Sequence, residues 1–179
     1  MLNSSSSIAV GKRHWIILAT WLCFTYGAFV YVVKNQLVDF DPSGWLAHAE
    51  HQVIKDNLQA NLAIDVQGRT VVHFKQANCH CQQFSDRHVK SINKMASQAN
   101  FNVSQIELTA ESASKAMIPS TPAVAIIEKG ELVYLGPYGA GIGCSEVGGF
   151  AQTVLNNVTK GFRDNILISE AKGCYCQTT

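Results

Sequence analysis

Two pairs of thiols, each pair separated by a single residue, carry the chemistry open to this chain. Cys79-His80-Cys81 lies near the middle of the 179-residue sequence and Cys174-Tyr175-Cys176 close to its end, with Cys144 as a fifth thiol between them. Residues 70–74, Thr-Val-Val-His-Phe, form a β-branched run of the type that makes a buried strand, and helical spacing starts just after Cys81. The first thiol pair therefore falls where a strand hands over to a helix. The unpaired N–H groups and positive dipole end of a helix stabilise a thiolate and lower its pKa, and a protonated His80 would add to that effect. Thiol–disulfide exchange is the chemistry this placement favours.

Three outcomes are open to the thiols. A bond between Cys79 and Cys81 closes a small ring that has little freedom to reach a relaxed dihedral, so such a pair is expected to be strained and its oxidised form oxidising or isomerising. The Cys174/Cys176 pair could then shuttle electrons to it from a mobile tail. The second outcome is a Cu(I) or Zn(II) site: Cys79, Cys81, Cys144, Cys174 and Cys176, with His73, His80 or His88 nearby, offer more soft ligands than such an ion needs. Cys79, Cys81 and His88 form the smallest such set. The spacing matches no closed zinc framework, however, and His88 falls inside an apolar helical stripe, where a histidine reads as part of the core. The third outcome is structural, with Cys144 bonded to a tail cysteine and Cys79 and Cys81 inert; that staple closes a loop of about thirty residues and contributes a few kcal/mol.

The elements that must position these groups follow from patterning. Asp41 can cap a helix over residues 42–60 with Pro42 in its first turn, and His48 and His51 read as surface histidines of that helix. A helix is predicted over residues 80–98, a strand over 102–108, a brief helix over 110–117 and strands over 123–127 and 131–135, joined by a Lys129-Gly130 turn. Two prolines within residues 118–122 exclude a helix there and limit a strand. The glycine-rich stretch at 136–143 lacks the lysine of a phosphate-binding loop and reads as a flexible connector. Ser145 can cap a last helix whose apolar positions Val147, Phe150, Ala151, Val154, Leu155 and Val158 repeat at helical steps, with Gly161 ending it.

At 47% apolar and 15% charged, the chain has room for one globular domain and an appendage. Its net charge of +1, without a dense basic run, argues against nucleic acid as a partner. The appendage is a charge-free run of residues 15–33, flanked by Lys12, Arg13 and Lys34, with Trp15, Trp21, Tyr26 and Tyr31 as interface anchors. Nothing like a small-residue cleavage site follows it, so an uncleaved anchor over residues 15–34 is expected in preference to a signal peptide. Lys12 and Arg13 favour a cytoplasmic N-terminus, residues 1–14, with all that follows the anchor outside the cytoplasm. Disulfides persist there, whereas Cys23 within the span reads as a small apolar residue.

The order strand, cysteines, helix, strand, helix, Thr-Pro, strand, hairpin, strand, helix resembles the thioredoxin superfamily, and more narrowly its membrane-anchored periplasmic members in bacteria. The residues that carry the resemblance are Val71-Val72-His73-Phe74 leading to Cys79, and Ser120-Thr121-Pro122-Ala123; it extends over residues 70–161. It implies an α/β thioredoxin-like sandwich, a central mixed sheet flanked by helices, over residues 62–163. A linker and helix at 35–61 would precede it and a cysteine-containing tail at 164–179 would follow. It implies a cis bond between Thr121 and Pro122, lying against the cysteines. It also implies that Cys79 attacks a substrate disulfide, Cys81 resolves the mixed disulfide and Pro122 presents backbone to the substrate. Partners would be protein thiols or disulfides, with no organic cofactor. The one-residue spacing departs from the family's two, and Lys75 and Asn78 stand near where its tryptophan and proline are usual. A thioredoxin-like metal-delivery protein, or a non-catalytic domain with structural disulfides, are the alternatives.

Overall fold

The computed structural model describes residues 11–141 and 148–178, which divide into two units between Gln36 and Leu37. In the first, α1 (Lys12–Gln36) is a single helix whose large apolar side chains, among them Trp15, Ile16, Leu22 and Phe29, are exposed. It is long and apolar enough to cross a membrane.

The second unit begins with β1 (Val38–Asp39) and two helices, α2 (Trp45–His48) and α3 (His51–Leu62), where the sequence pattern predicts one. Ala49 and Glu50 are extended and break the run. Asp41 does cap its helix: its carboxylate accepts the amides of Trp45, Leu46 and Ala47, three of the donors that the first turn leaves unpaired. The helix starts after Pro42 and Ser43, which form a turn.

Next come β2 (Arg69–Gln76), α4 (Gln82–Gln98), β3 (Asn102–Leu108), α5 (Ala110–Ala116) and the two-residue β4 (Ser120–Thr121). β5 (Ala123–Glu128) and β6 (Glu131–Gly136) form the predicted hairpin, with Lys129 and Gly130 both at positive φ, as a two-residue turn of the right twist requires. α6 (Phe150–Thr159) follows, and Ser145, its predicted cap, lies outside the described residues. The tail holds three short strands: β7 (Ile166–Leu167), β8 (Lys172–Gly173) and β9 (Cys176–Gln177).

One five-stranded mixed sheet, in the order β3-β2-β5-β6-β7, organises the unit. β2 runs parallel to β3 and antiparallel to β5. Because side chains alternate across a strand, β2 and β5 each supply both faces. Val72, Phe74, Ala123, Ala125 and Ile127 join Ile54 and Leu58 of α3 and Ala113 and Ala116 of α5 in one core. Val71, Val124 and Ile126 join Ile92 and Ala96 of α4 and Ala151, Val154, Leu155 and Val158 of α6 in the other. The result is a helix–sheet–helix layering. Glu128, buried at the end of β5, is paired with Arg69 at 3.0 Å and Arg163 at 3.1 Å, and Arg69 also lies 4.2 Å over the Phe101 ring.

A buried polar chain runs beneath the second core. His73 on β2 donates from Nε2 to Asn93 Oδ1 at 2.7 Å and accepts at Nδ1 from the Tyr138 hydroxyl at 2.5 Å. Burial holds the Tyr138 hydroxyl far above its ordinary range, so it stays a donor. Burial lowers the His73 pKa below 6.5, opposed in part by the bond to Asn93. Below about pH 6.5 the unfolded chain therefore takes up a proton that the folded His73 refuses. Stability should fall as the pH drops from about 6.5 toward the folded pKa, with a slope of up to about 1.4 kcal/mol per pH unit from this group. Urea unfolding of wild type and His73→Gln across pH 5–8 checks this; the variant should show a shallower acid slope, and equal slopes would remove His73 as the cause.

Candidate functional site

β2 and β5 are antiparallel, so the end of one lies beside the start of the other, with Phe74 opposite Ala123. The chain leaves β2 through Ala77 and Asn78, and Asn78 adopts a left-handed φ of 61° that asparagine tolerates better than most residues. The turn is closed by Cys79 N–H donating to Gln76 O. α4 starts at Gln82, two residues later than predicted, and Cys81 occupies its N-cap. Cys81, more than Cys79, therefore stands at the helix end whose dipole favours a thiolate.

The peptide bond between Thr121 and Pro122 is cis, and the Cys79 sulfur lies 3.7 Å from Thr121 O. The expected neighbourhood of Cys79, Cys81 and Pro122 is thus assembled. The expected pairing is not: neither motif closes on itself. Cys79 is bonded to Cys176 and Cys81 to Cys174, with Cα–Cα distances of 5.8 and 5.5 Å that suit unforced bridges. The small strained ring has no counterpart here, because the tail brings a second thiol pair of equal spacing alongside the first in antiparallel order. Both tail cysteines are thereby committed to Cys79 and Cys81, so neither staples to Cys144, which lies outside the described residues.

The tail is held by much more than sulfur. β9 pairs antiparallel with β4, Cys176 opposite Thr121 and Gln177 opposite Ser120. The Thr178 hydroxyl donates toward Ile118 O and Pro119 O, at 2.7 and 3.0 Å. Tyr175 is buried with its ring edge-on to Phe40, 5.2 Å between centroids, and its hydroxyl donates to Gly139 O at 2.6 Å. β8 pairs with β1. Gly173 has to be glycine: a Cβ there would meet the Tyr175 ring at 2.7 Å. The tail expected to be mobile is part of the fold.

The two bridges differ in access. Cys79 and Cys176 are half-buried, whereas Cys81 and Cys174 are 2% and 9% exposed. His80 is exposed, and its Nε2 lies 3.6 Å from the Cys81 sulfur and 3.9 Å from that of Cys174, over both ends of the inner bridge. The sulfurs of Cys79, Cys81 and Cys176 lie within 4.8 Å of one another, as do the His80 nitrogen and the sulfurs of Cys81 and Cys174. Cys81 is common to both groups. His88 belongs to neither: it is fully buried, and its Nδ1 accepts from Gln152 Nε2 at 2.6 Å, which makes it a core histidine and removes it from the metal set with Cys79 and Cys81. Sequence reasoning missed Tyr175 and the strand character around it. The available signal was the equal spacing of the two motifs.

The chain belongs to the family described as a domain of unknown function, DUF6436, which it matches over residues 48–178. No curated protein and no solved structure matches it.

The bridges span sequence separations of 97 and 93 residues, but once one is closed the other closes only a ring of about six residues. In the chain-entropy account the first bridge contributes about 4–5 kcal/mol and the second about 2 kcal/mol. Urea unfolding of C79A/C176A and of C81A/C174A should each show a loss of about 2 kcal/mol, and the fourfold variant a loss of about 6–7 kcal/mol. Additive losses would mean that the bridges do not share one loop.

Proposed function

For this member of a family without an assigned activity, we propose a membrane-anchored, extracytoplasmic thiol–disulfide oxidoreductase of thioredoxin-like type, working on protein thiols or disulfides. The observation that carries the proposal is the stacked pair of bridges: a half-buried disulfide, Cys79–Cys176, with the sulfur of a second, buried disulfide within 4.8 Å. In this reading an external thiolate attacks Cys79–Cys176, the outer bridge, first, by way of the half-buried Cys176. Attack on one sulfur forms a mixed disulfide and releases the other as a thiolate; a second thiol of the same partner then completes the exchange, so the partner dithiol becomes a disulfide and Cys79 and Cys176 become thiols.

Either of those two new thiolates stands close enough to Cys81 to attack the inner bridge. Cys174 is then released, and His80 Nε2, 3.9 Å from its sulfur, supplies the proton that a leaving thiolate takes. Thr121 O beside the Cys79 sulfur, and the antiparallel pairing of β4 with β9, support a partner that enters as an extended strand in the tail's place. In this reading α1 is the anchor in the inner membrane of a bacterium, its N-terminus cytoplasmic, and the Leu37–Thr179 unit lies in the periplasm. The five cysteines of that unit fit an oxidising compartment.

Exchange with a cysteine-containing peptide, followed by thiol alkylation and peptide mapping, tests this. The wild type should release the Cys79 and Cys176 thiols before those of Cys81 and Cys174. C79A should lose exchange with the partner, and H80Q should slow opening of the inner bridge while leaving thermal stability unchanged. Bridges that both resist a mild dithiol in the folded chain would leave only the structural reading.

A further inference from the structure

The noncovalent hold on the tail has a consequence for the reduced protein. The β4–β9 pairing, the Thr178 hydroxyl bonds, the β1–β8 pairing and the buried Tyr175 do not depend on sulfur–sulfur bonds. These contacts are the ones that can keep four thiols gathered at one corner after reduction, with the exposed His80 imidazole among them. We infer that Cys79, Cys81, Cys174 and Cys176, once both bridges are reduced, offer with His80 the donors from which one thiophilic closed-shell cation, Zn(II) or Cu(I), takes three or four ligands that include Cys81.

The geometry suits such an ion. A tetrahedral ion bound at about 2.3 Å to each sulfur holds those sulfurs about 3.8 Å apart. In the oxidised structure Cys79, Cys81 and Cys176 already lie within 4.8 Å of one another, and Cys81, Cys174 and His80 likewise. Opening the two bridges moves bonded sulfurs apart toward that spacing, while the backbones stay fixed by the strands. Thiolates and a neutral imidazole are the donors that Zn(II) and Cu(I) prefer. Cys81, shared by both groups and buried, stands at the centre, and His80 lies on the solvent side.

The chemistry balances. Two equivalents of an external dithiol give four electrons and four protons to the two bridges, producing four thiols and two oxidised dithiols. The ion then displaces thiol protons, which pass to solvent. Two equivalents of an external disulfide take back those four electrons and four protons, becoming four thiols as the two bridges re-form; this destroys the site and releases the ion, so metal and disulfide exclude each other. This holds whether or not the protein exchanges disulfides with a partner: a chain inactive in exchange, but reducible by a phosphine, would still take the ion.

The test uses the full chain in detergent, reduced anaerobically with a phosphine, freed of reductant and titrated separately with Zn(II) and Cu(I) against a chromogenic chelator. About one equivalent of at least one ion should bind to the reduced chain, be absent from the oxidised chain and be released on reoxidation. The bound ion should protect the peptides holding Cys79, Cys81, Cys174 and Cys176 from alkylation. C174A/C176A should lose binding at least tenfold while keeping the circular dichroism of the wild type. If that variant unfolds, the wild-type protection pattern decides alone. Binding equal in the reduced and oxidised chains, protection that omits the tail cysteines, or no binding of either ion would overturn the inference.

Discussion

The burial of the middle of β2 between β3 and β5 is the constraint from which the rest of the site follows. Five consecutive residues, Thr70 to Phe74, are buried, with the apolar sides of helices against both faces. Side chains such as Val71, Val72 and Phe74 each contribute about 1.5–3 kcal/mol on burial, and a slip of one residue would turn each to the wrong face. The register of β2 is thereby fixed, and with it the point where the chain emerges at Ala77 and reaches Cys79. β5 is antiparallel to β2, so its start emerges at the same edge. Cys79 meets the Thr121–Pro122 step because two neighbouring strands run in opposite directions, and no special contact is needed to bring them together.

The tail makes use of what this edge leaves open. β4 is two residues long, and Pro122, which lacks an amide hydrogen, prevents it from continuing as a regular ladder strand. β9 fills the remaining edge, and the tail cysteines, Cys176 within it and Cys174 before it, bond in antiparallel order to the two that follow β2. His80 and Tyr175, the middle residues of the two motifs, then take opposite environments. Tyr175 goes inward against Phe40 and Gly139, which locks the tail, while His80 goes outward over the inner bridge. Gly173 leaves the space in which the Tyr175 ring sits. One side of the six-residue ring is thus structural and the other is placed for chemistry.

Strands and helices with strong periodicity were legible in the sequence: β2, β3, the β5–β6 hairpin, α4 and α6 arise from alternation, helical stripes and a Lys-Gly turn that local physics decides. The break in the first helix was not, because Ala49 and Glu50 are ordinary helix formers and nothing in their residue types marks the extended backbone they adopt. The tail strands were illegible for a related reason. Segments of two residues have no period to read, and β7, β8 and β9 are held by partners distant in sequence. The thiols themselves and the Thr-Pro step could be read, and their proximity was what the resemblance implied. Their pairing could not, since spacing alone does not say whether a Cys-x-Cys motif bonds within itself or to another.

That cross-pairing changes what any partner of the site would meet. A bond within Cys79-His80-Cys81 would leave the β4 edge open to a visitor, whereas here the chain's own tail already pairs with that edge and bonds both thiols. An external group therefore competes with an intramolecular strand, whose effective concentration exceeds that of most partners in solution. Opening the outer bridge alone does not free the tail, because Cys81–Cys174 and the Tyr175 and Thr178 contacts still hold it. Only when both bridges are open do those contacts alone decide whether the thiols stay together. A tail that then stays docked keeps a cluster of soft donors, and one that peels away exposes a strand edge beside a thiolate. The balance between Tyr175 docking and solvation of the freed tail is what separates the two chemistries.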